Sequence, residues 1–496
     1  MITGPMQVQG STTAHLTVGS ETAAERGVWS VRRSTALALD LIIAVYSVAL
    51  VVVLTTGGVD LGFVTLNDAS KPILVLLIAV PLRITLGHPF FLLEMPWRSA
   101  LPQLTTIRRM TIGGVPPAMV DVAFVLVVTR VASFSIGFIA NLLFVGPSRV
   151  RAFTMPFRNE KFAEIFAAWD SGWYFDIASR GYYFNPHGQS SIAFFPLYPM
   201  LMRAVAWPMG GTEKMIWLAG ILISCTAFAL ALLALHRLTE RVTGDREAAG
   251  RTIFYLAVFP FSLFFTRVYA ESVFLLMTVL AVSRAHDGRW WRAGLWGALA
   301  TLTRPNGITI GLPLACLALA GQPAARELAR RFIALLLIPI ALAGYCAYVY
   351  TLSGDPLAWL SAQVHWGYSL GHPPWEQLLK MIGRVVKHGL YDYFFLSDMA
   401  PYRLFHGVVA LVFLGLTPAI FKRLGVGMGS YVLASLIVPL TGNALEGVGR
   451  YSAVLFPAFM LLGSFKSRRW HEAILIVSAL FLALFICLFV TDRPIY

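Results

Sequence analysis

Charge is scarce in this chain. Asp, Glu, Lys and Arg make up 13% of its 496 residues, where a soluble domain would carry roughly a quarter, and that shortage excludes an ordinary water-soluble globule. Cysteine is nearly absent as well: the four present, Cys225, Cys316, Cys346 and Cys487, all sit inside apolar runs. A thiol in such a run behaves as a small hydrophobe, so neither a disulfide framework nor a cysteine metal site is expected. No P-loop and no convincing dinucleotide fingerprint occurs, which argues against a nucleotide-driven pump. His365 and His372 stand in a Trp-containing late segment without HExxH or any other ligand spacing, so no metal and no cofactor is expected. There is no internal repeat, and no low-complexity stretch beyond the first 34 or so residues, which are rich in Ser, Thr, Ala and Gly.

What the chain has in abundance is apolar: 57% of residues are hydrophobic, and the mean hydropathy is +0.70. Runs long enough to cross a bilayer core, roughly 20 residues each, recur along it, and the expectation is an all-α polytopic membrane protein. The net charge of +14 does not point to nucleic acid, because Lys and Arg fall in short clusters between apolar runs, as membrane orientation requires.

Spans are expected at about 36–57, 72–87, 119–145, 215–236, 252–268, 271–284, 293–303, 306–320, 332–351, 403–421, 427–440, 453–464 and 472–490, about thirteen in all. Residues 1–34 lack an early apolar core and read as a disordered cytoplasmic tail. Basic clusters then mark every second loop as cytoplasmic: Arg26, Arg32 and Arg33; Arg98, Arg108 and Arg109; Arg237, Arg241, Arg246 and Arg251; Arg284, Arg289 and Arg292; Arg326, Arg330 and Arg331; Lys422 and Arg423; Lys466, Arg468 and Arg469. The other loops face outward, and they hold WDSGWYFD at 169–176, YAES at 269–272, TRPNG at 303–307, a Trp- and His-containing segment at 353–390, and EGVGRYS at 446–452. A multi-pass cell-membrane protein with a cytoplasmic N-terminus and an extracytoplasmic site follows. Residues 191–209 are apolar enough to span, but a crossing there would invert every later loop. Pro196, Pro199 and Pro208 also limit a regular helix, so the segment reads as interfacial or re-entrant.

Asp170 lies between Trp169 and Ser171, in a loop that also carries Arg149, Arg151, Arg158, Lys161 and Arg180. A carboxylate near a membrane surface is costly unless used or paired. As a general base it would take a proton from an acceptor hydroxyl, with Trp173, Tyr174 and Tyr182 shaping a sugar or lipid-phosphate cleft. The plain alternative is an interfacial aromatic belt with an aspartate capping a short helix. Asp176, six residues on, falls about 240° around a helix and is expected to support, pairing with Arg180 at i,i+4. Glu271 opens a membrane helix, where an acid suits the N-terminus; the alternative is a second carboxylate of the site. Arg304 and Asn306 flank Pro305 inside an apolar stretch, where Pro305 and Gly307 break the helix. Such a break is tolerated where it lines a cavity, with Arg304 facing a lipid phosphate. Arg450, beside Tyr451, is a second phosphate candidate because a guanidinium engages phosphate through two hydrogen bonds. For both arginines the plain alternative is snorkelling to the interface. Arg130, inside the third span, is left to a structural pairing with Asp40 or Asp121.

These segments, WDSGWYFDIASRGY with AFFPLYP, then FPFSLFFTRVYAES, LTRPNG and GRYSAVLFPAF, follow in this order over roughly 119–465. The ordered set resembles the PIG-V-like mannosyltransferases of the GT-C class, here as a bacterial member given the Ala-, Val-, Leu- and Arg-rich composition. The resemblance implies a GT-C-like bundle over 116–496, with 169–210 as its motif loop and two additional membrane helices and a basic loop at 35–115. It implies an enzyme that moves mannose from a polyprenyl-phosphate carrier to a hydroxyl acceptor on the outer face, by inversion and without a nucleotide donor. An aspartate of the first large outer loop then acts as base, which maps onto Asp170, and Arg304 or Arg450 stabilises charge on the leaving phosphate. Trp169, Trp173, Tyr174, Arg180, Tyr182, Asn306 and Tyr451 would form the substrate cleft, Asp176 and Glu271 would support it, and the acceptor would be a cell-envelope glycolipid or glycan rather than a GPI precursor. A transporter or flippase of lipid-linked sugar, or a GT-C enzyme for another sugar, also accords with these residues.

Overall fold

A computed structural model describes residues 116–144, 161–369, 371–395, 402–442 and 445–495 without a break, with residues 38–49 and a few shorter pieces between 35 and 83 before them. The tail at 1–34, the basic loop at 84–115, and Arg149, Arg151 and Arg158 lie outside the described residues. Among the described residues the chain is helical apart from turns, loops and one antiparallel ladder of Val59–Asp60 against Thr65–Leu66.

Among the described residues five helices are long and apolar enough to cross a membrane: Pro117–Leu143, Glu213–Thr243, Ala325–Ser353, Tyr402–Leu424 and Arg468–Val490. A helix satisfies all its own backbone polar groups, which is what hydrocarbon demands. The expected run at 252–268 is not one straight helix. Arg246–Val258 gives way to a 3-10 turn at Pro260–Thr266, bent by 85°, because Pro260 brings no N–H to continue the ladder. Counted as one broken span it makes six among the described residues, fewer than the thirteen expected. Part of the difference lies in short helices: Glu271–His286 has 16 residues and Trp290–Thr303 has 14, reaching about 24 and 21 Å at 1.5 Å per residue, less than a hydrocarbon core of about 30 Å; the expected spans at 36–57 and 72–87 lie partly outside the described residues. Residues 191–209 form a turn, the ten-residue helix Leu197–Ala206 and a second turn; that helix is about 15 Å long.

Local chemistry sets the ends. Thr212 accepts from Met215 N at the start of Glu213–Thr243, and Gly244 closes it at φ 66°. Asp245 then caps the next helix by accepting from the amides of Glu247 and Ala248. The core is built where Glu271–His286 packs between Glu213–Thr243 and Trp290–Thr303, with Phe228 stacked on Phe265 at 4.8 Å. Arg130 pairs with neither Asp40 nor Asp121. Its guanidinium donates to the carbonyls of Ala257 at 2.5 Å and Ser262 at 3.1 Å, groups freed where the 85° bend interrupts the helix. Asp40 instead pairs with Arg83 at 2.6 Å, and Asp121 with His236 and Arg246 at 3.1 and 3.2 Å.

One close approach positions the site. After Thr303 the chain turns extended at Arg304, with φ −153° and ψ 147°, and enters a 3-10 turn at Pro305–Ile310. That turn lies so near the preceding helix that a Cβ on Gly307 would overlap the backbone of Ala300. Only glycine lets the turn sit there, and the turn in turn fixes Arg304 and Asn306.

Candidate active site

Asp170 directly precedes the Ser171–Arg180 helix and lies at its N-cap position, yet its backbone is already helical and its side chain makes no capping hydrogen bond. The capping explanation therefore fails at this residue. Trp169, just ahead of it, sits at φ +55°, a left-handed conformation that costs a bulky side chain of order 1–3 kcal/mol and persists where surrounding structure imposes it. The Asp170 carboxylate is turned to Arg450, whose Nη1 donates to Oδ2 at 2.5 Å.

Arg450 belongs to the short helix Val448–Ala453 and is shared. Its Nε donates to Glu271 Oε1 at 2.8 Å, and the same oxygen accepts from Arg304 Nη1 at 2.9 Å. Glu271 is fully buried, and Arg304 and Arg450 are 8% and 7% exposed. Each carboxylate here has a guanidinium partner and each guanidinium a carboxylate, as buried charges require. Aromatic faces complete the shell: Arg304 lies 4.5 Å from the Tyr451 ring centre, and Arg450 lies 4.7 and 4.9 Å from those of Tyr269 and Phe264. Glu271 is thus more than an acid suited to a helix N-terminus, since it joins the two arginines.

This cluster forms one wall of a cavity of about 670 Å³ lined by Asp170, Tyr174, Arg304, Asn306, Arg450 and Tyr451. Asn306 is 1% exposed, and its amide has no hydrogen-bond partner among the described residues. Burial, helped by the nearby Glu271 charge, pushes the Tyr174 phenol up, so it remains a neutral hydroxyl. The wall is completed by Trp366, Tyr368 and Glu446 and by the basic Lys380, Arg384 and Arg403.

Four residues expected in the cleft do not line it. Trp173 lies flat on Phe194 at 5.6 Å and meets Trp366 edge-on at 5.3 Å, which makes it a buttress behind the wall. Tyr182 donates its hydroxyl to Phe194 O at 2.8 Å. Trp169 contributes its strained backbone rather than a cavity face. Arg180 is solvent-exposed and pairs with Asp176 at 3.1 Å, the i,i+4 contact expected of it, and Asp176 lies on the side of its helix away from the cavity. Asp170 and Tyr174 are one turn apart and share a face, whereas Asp176 falls about 240° from Asp170; Trp173, three residues from Asp170, is drawn off the cavity by its stacking on Phe194.

The basic wall was not anticipated. Lys380 donates to Glu376 at 2.5 Å, and His372 links Glu376 at 3.0 Å to Ser369 at 3.1 Å. The hydrogen bonds from Lys380 and His372 draw the Glu376 carboxyl below its ordinary range. The spacing of Glu376, Lys380 and Arg384 by four was readable as one helix face. Arg403 and Glu446, paired at 2.5 Å across 43 residues, gave no local signal. Among the described residues no three His, Cys, Asp or Glu side chains converge as a metal cluster.

Known proteins bear on part of this chain. The sequence model of the family described as Mannosyltransferase (PIG-V) matches residues 124–352. GPI alpha-1,6-mannosyltransferase 2 of Mus musculus is 29% identical over 242 residues, covering 42% of this chain and 47% of that protein. GPI mannosyltransferase 2 of Yarrowia lipolytica is 27% identical over 160 residues, covering 32% and 42%. The chain thus spans less than half the length of these relatives. Among solved structures, the oligosaccharyltransferase AglB of Archaeoglobus fulgidus, in complex with an inhibitory peptide and a dolichol-phosphate, is 16% identical at a TM-score of 0.39, over 76% of this chain and 56% of that one. ArnT of Cupriavidus metallidurans, bound to undecaprenyl phosphate, is 13% identical at a TM-score of 0.40, over 70% and 62%. Residues 124–352, matched by the model of the PIG-V mannosyltransferase family, contain Asp170, Glu271 and Arg304.

Proposed function

We propose that this chain is an integral membrane mannosyltransferase that moves a mannosyl group from a polyprenyl-phosphate carrier to a hydroxyl of a cell-envelope glycolipid or glycan on the extracytoplasmic face of the cell membrane. Asp170 is the general base. Arg304 and Arg450 hold the leaving phosphate, and Tyr174, Asn306 and Tyr451 contact the sugar or acceptor.

The observation that carries this reading is the cavity that unites Asp170 with Arg304 and Arg450. Glycosyl transfer needs an oxygen to take the hydroxyl proton and cations to stabilise the departing phosphate, and a single cavity presents both. The segments at 169–176, 303–307, 353–390 and 446–452, expected on the outer side from the alternation of basic clusters, all contribute to its wall, which supports the outward orientation. A transporter would need the cations but not an uncapped aspartate.

The test is transfer of radiolabelled mannose from synthetic polyprenyl-phosphate mannose to a membrane extract by purified protein, wild type against Asp170→Asn. Label in an acceptor with wild type alone is the expected result. Binding of the carrier lipid with no transfer by either protein would overturn the mannosyltransferase reading in favour of transport or another sugar.

A further inference from the structure

Arg450 divides its guanidinium between two carboxylates of different character. Toward Glu271 it is anchored: Nε and Nη2 both lie 2.8 Å from Oε1, the Glu271 side chain is 0% exposed, and Arg304 holds the same oxygen from the other side at 2.9 Å. Toward Asp170 it is exchangeable. Nη1 meets Oδ2 at 2.5 Å, but the Asp170 side chain is 19% exposed, lines the open cavity and makes no capping hydrogen bond to hold it in place. The pair therefore has one fixed edge and one edge a ligand can take over.

We propose that Asp170 and the phosphate of the sugar donor compete for Nη1 of Arg450, so that the base is unmasked only when the donor is seated. The proposal rests on the reading of Asp170 as base and of a phosphate-linked donor. While Asp170 Oδ2 accepts from Arg450, the carboxylate is held toward the guanidinium. A phosphate oxygen entering the cavity offers a guanidinium a strong charge-assisted partner, and Glu271 keeps Arg450 in place during the exchange. Asp170 then turns its freed oxygen to the acceptor hydroxyl. In the transfer step the acceptor oxygen bonds to the sugar C1 as the C1–O bond to phosphate breaks. That electron pair stays on the phosphate oxygen beside Arg450, and the hydroxyl proton passes to Asp170 and from there to water. When the carrier phosphate departs, Asp170 returns to Arg450. Glu271 acts here as a positioning residue, through Arg450 and not on substrate.

Competition for one donor is a negative coupling, and couplings between linked sites amount to about 5–150-fold in affinity. The probe is polyprenyl phosphate alone, its binding to the full chain followed by intrinsic tryptophan fluorescence at fixed pH and salt. Asp170→Asn should bind it about fivefold or more tightly than wild type, although it has lost transfer activity, and the gain should vanish in an Arg450→Gln background. Asp170→Ser carries the same prediction and serves if the asparagine variant does not fold. Equal or weaker binding by the folded Asp170 variants overturns the competition while leaving a phosphate donor intact. Absence of polyprenyl-phosphate binding by wild type overturns the donor reading itself, and the competition with it.

Discussion

Arg304 and Arg450, 146 positions apart in the chain, donate to the same oxygen of Glu271 at 2.9 and 2.8 Å. The fold joins the end of one helix, the start of a second and a short helix near the C-terminus through a single buried atom. Two cations held this close repel each other, and the carboxylate between them is what makes the arrangement stable.

Removal of that charge has a clear expected cost. Glu271→Gln removes the carboxylate that the two buried guanidinium groups share, and breaking a buried pair by deleting one partner costs about 3–5 kcal/mol. The unfolding midpoint of the variant in detergent should fall by several degrees, with a low yield of folded protein. A midpoint equal to wild type would show that the three side chains do not share one oxygen in the membrane-embedded protein.

Gly307→Ala probes the turn that carries Arg304 and Asn306. The added methyl would overlap the Ala300 backbone, and overpacking of this kind costs about 1–3 kcal/mol. Because the turn must move away from Trp290–Thr303 to make room, transfer activity should drop by more than tenfold in protein that still folds, and a mutant retaining full activity would refute the link between this close approach and the site.

Much of the site was legible because its residues break the rules of a membrane sequence. Asp170, Glu271, Arg304 and Arg450 stood out as rare charges beside apolar runs, and Pro305–Asn306–Gly307 as a helix break. Hydropathy did less well on spans. Composition alone does not set how long a helix runs, as with the 16 residues of Glu271–His286, nor reveal the 85° bend at Pro260. The aromatic residues divide between cavity and packing because residues adjacent in sequence point to different faces: Tyr174 reaches the cavity while Trp173 packs behind it. Arg403 with Glu446 is a contact made only by folding.

The basic wall should act through charge rather than stability. Lys380 and Glu376 form an exposed i,i+4 pair at 2.5 Å, and such pairs add little to folding. Lys380→Ala with Arg384→Ala should leave the unfolding midpoint unchanged while raising the KM for the phosphate-linked donor several-fold. The difference should shrink as salt approaches 1 M, where the screening length falls to about 3 Å. A midpoint shift with unchanged KM would assign these residues to packing instead.

Tyr174 gives a pH test. Burial pushes its phenol up from the ordinary value, so it stays protonated and able to donate through the alkaline range where an exposed tyrosine ionises, near pH 10. The rate of wild type should therefore show no loss near pH 10 that Tyr174→Phe abolishes. A descending limb there, present in wild type and missing in the phenylalanine variant, would mean that the hydroxyl is solvated and ionises in the open cavity.

Asp170→Asn separates a chemical role from a structural one. Had Asp170 capped its helix, the change would tell little, because asparagine caps as well as aspartate; but its side chain makes no capping bond at all. Its partner Arg450 keeps Glu271 as counter-ion when Asp170 becomes neutral, so no guanidinium is stranded. The unfolding midpoint should thus stay within a degree or two of wild type, while loss of general-base assistance lowers transfer by about 10²–10⁴-fold. Thermal unfolding and transfer measured on the same preparation decide it: a large fall in midpoint would mean that the Asp170–Arg450 contact holds the bundle together, and retained transfer would mean that another group takes the proton.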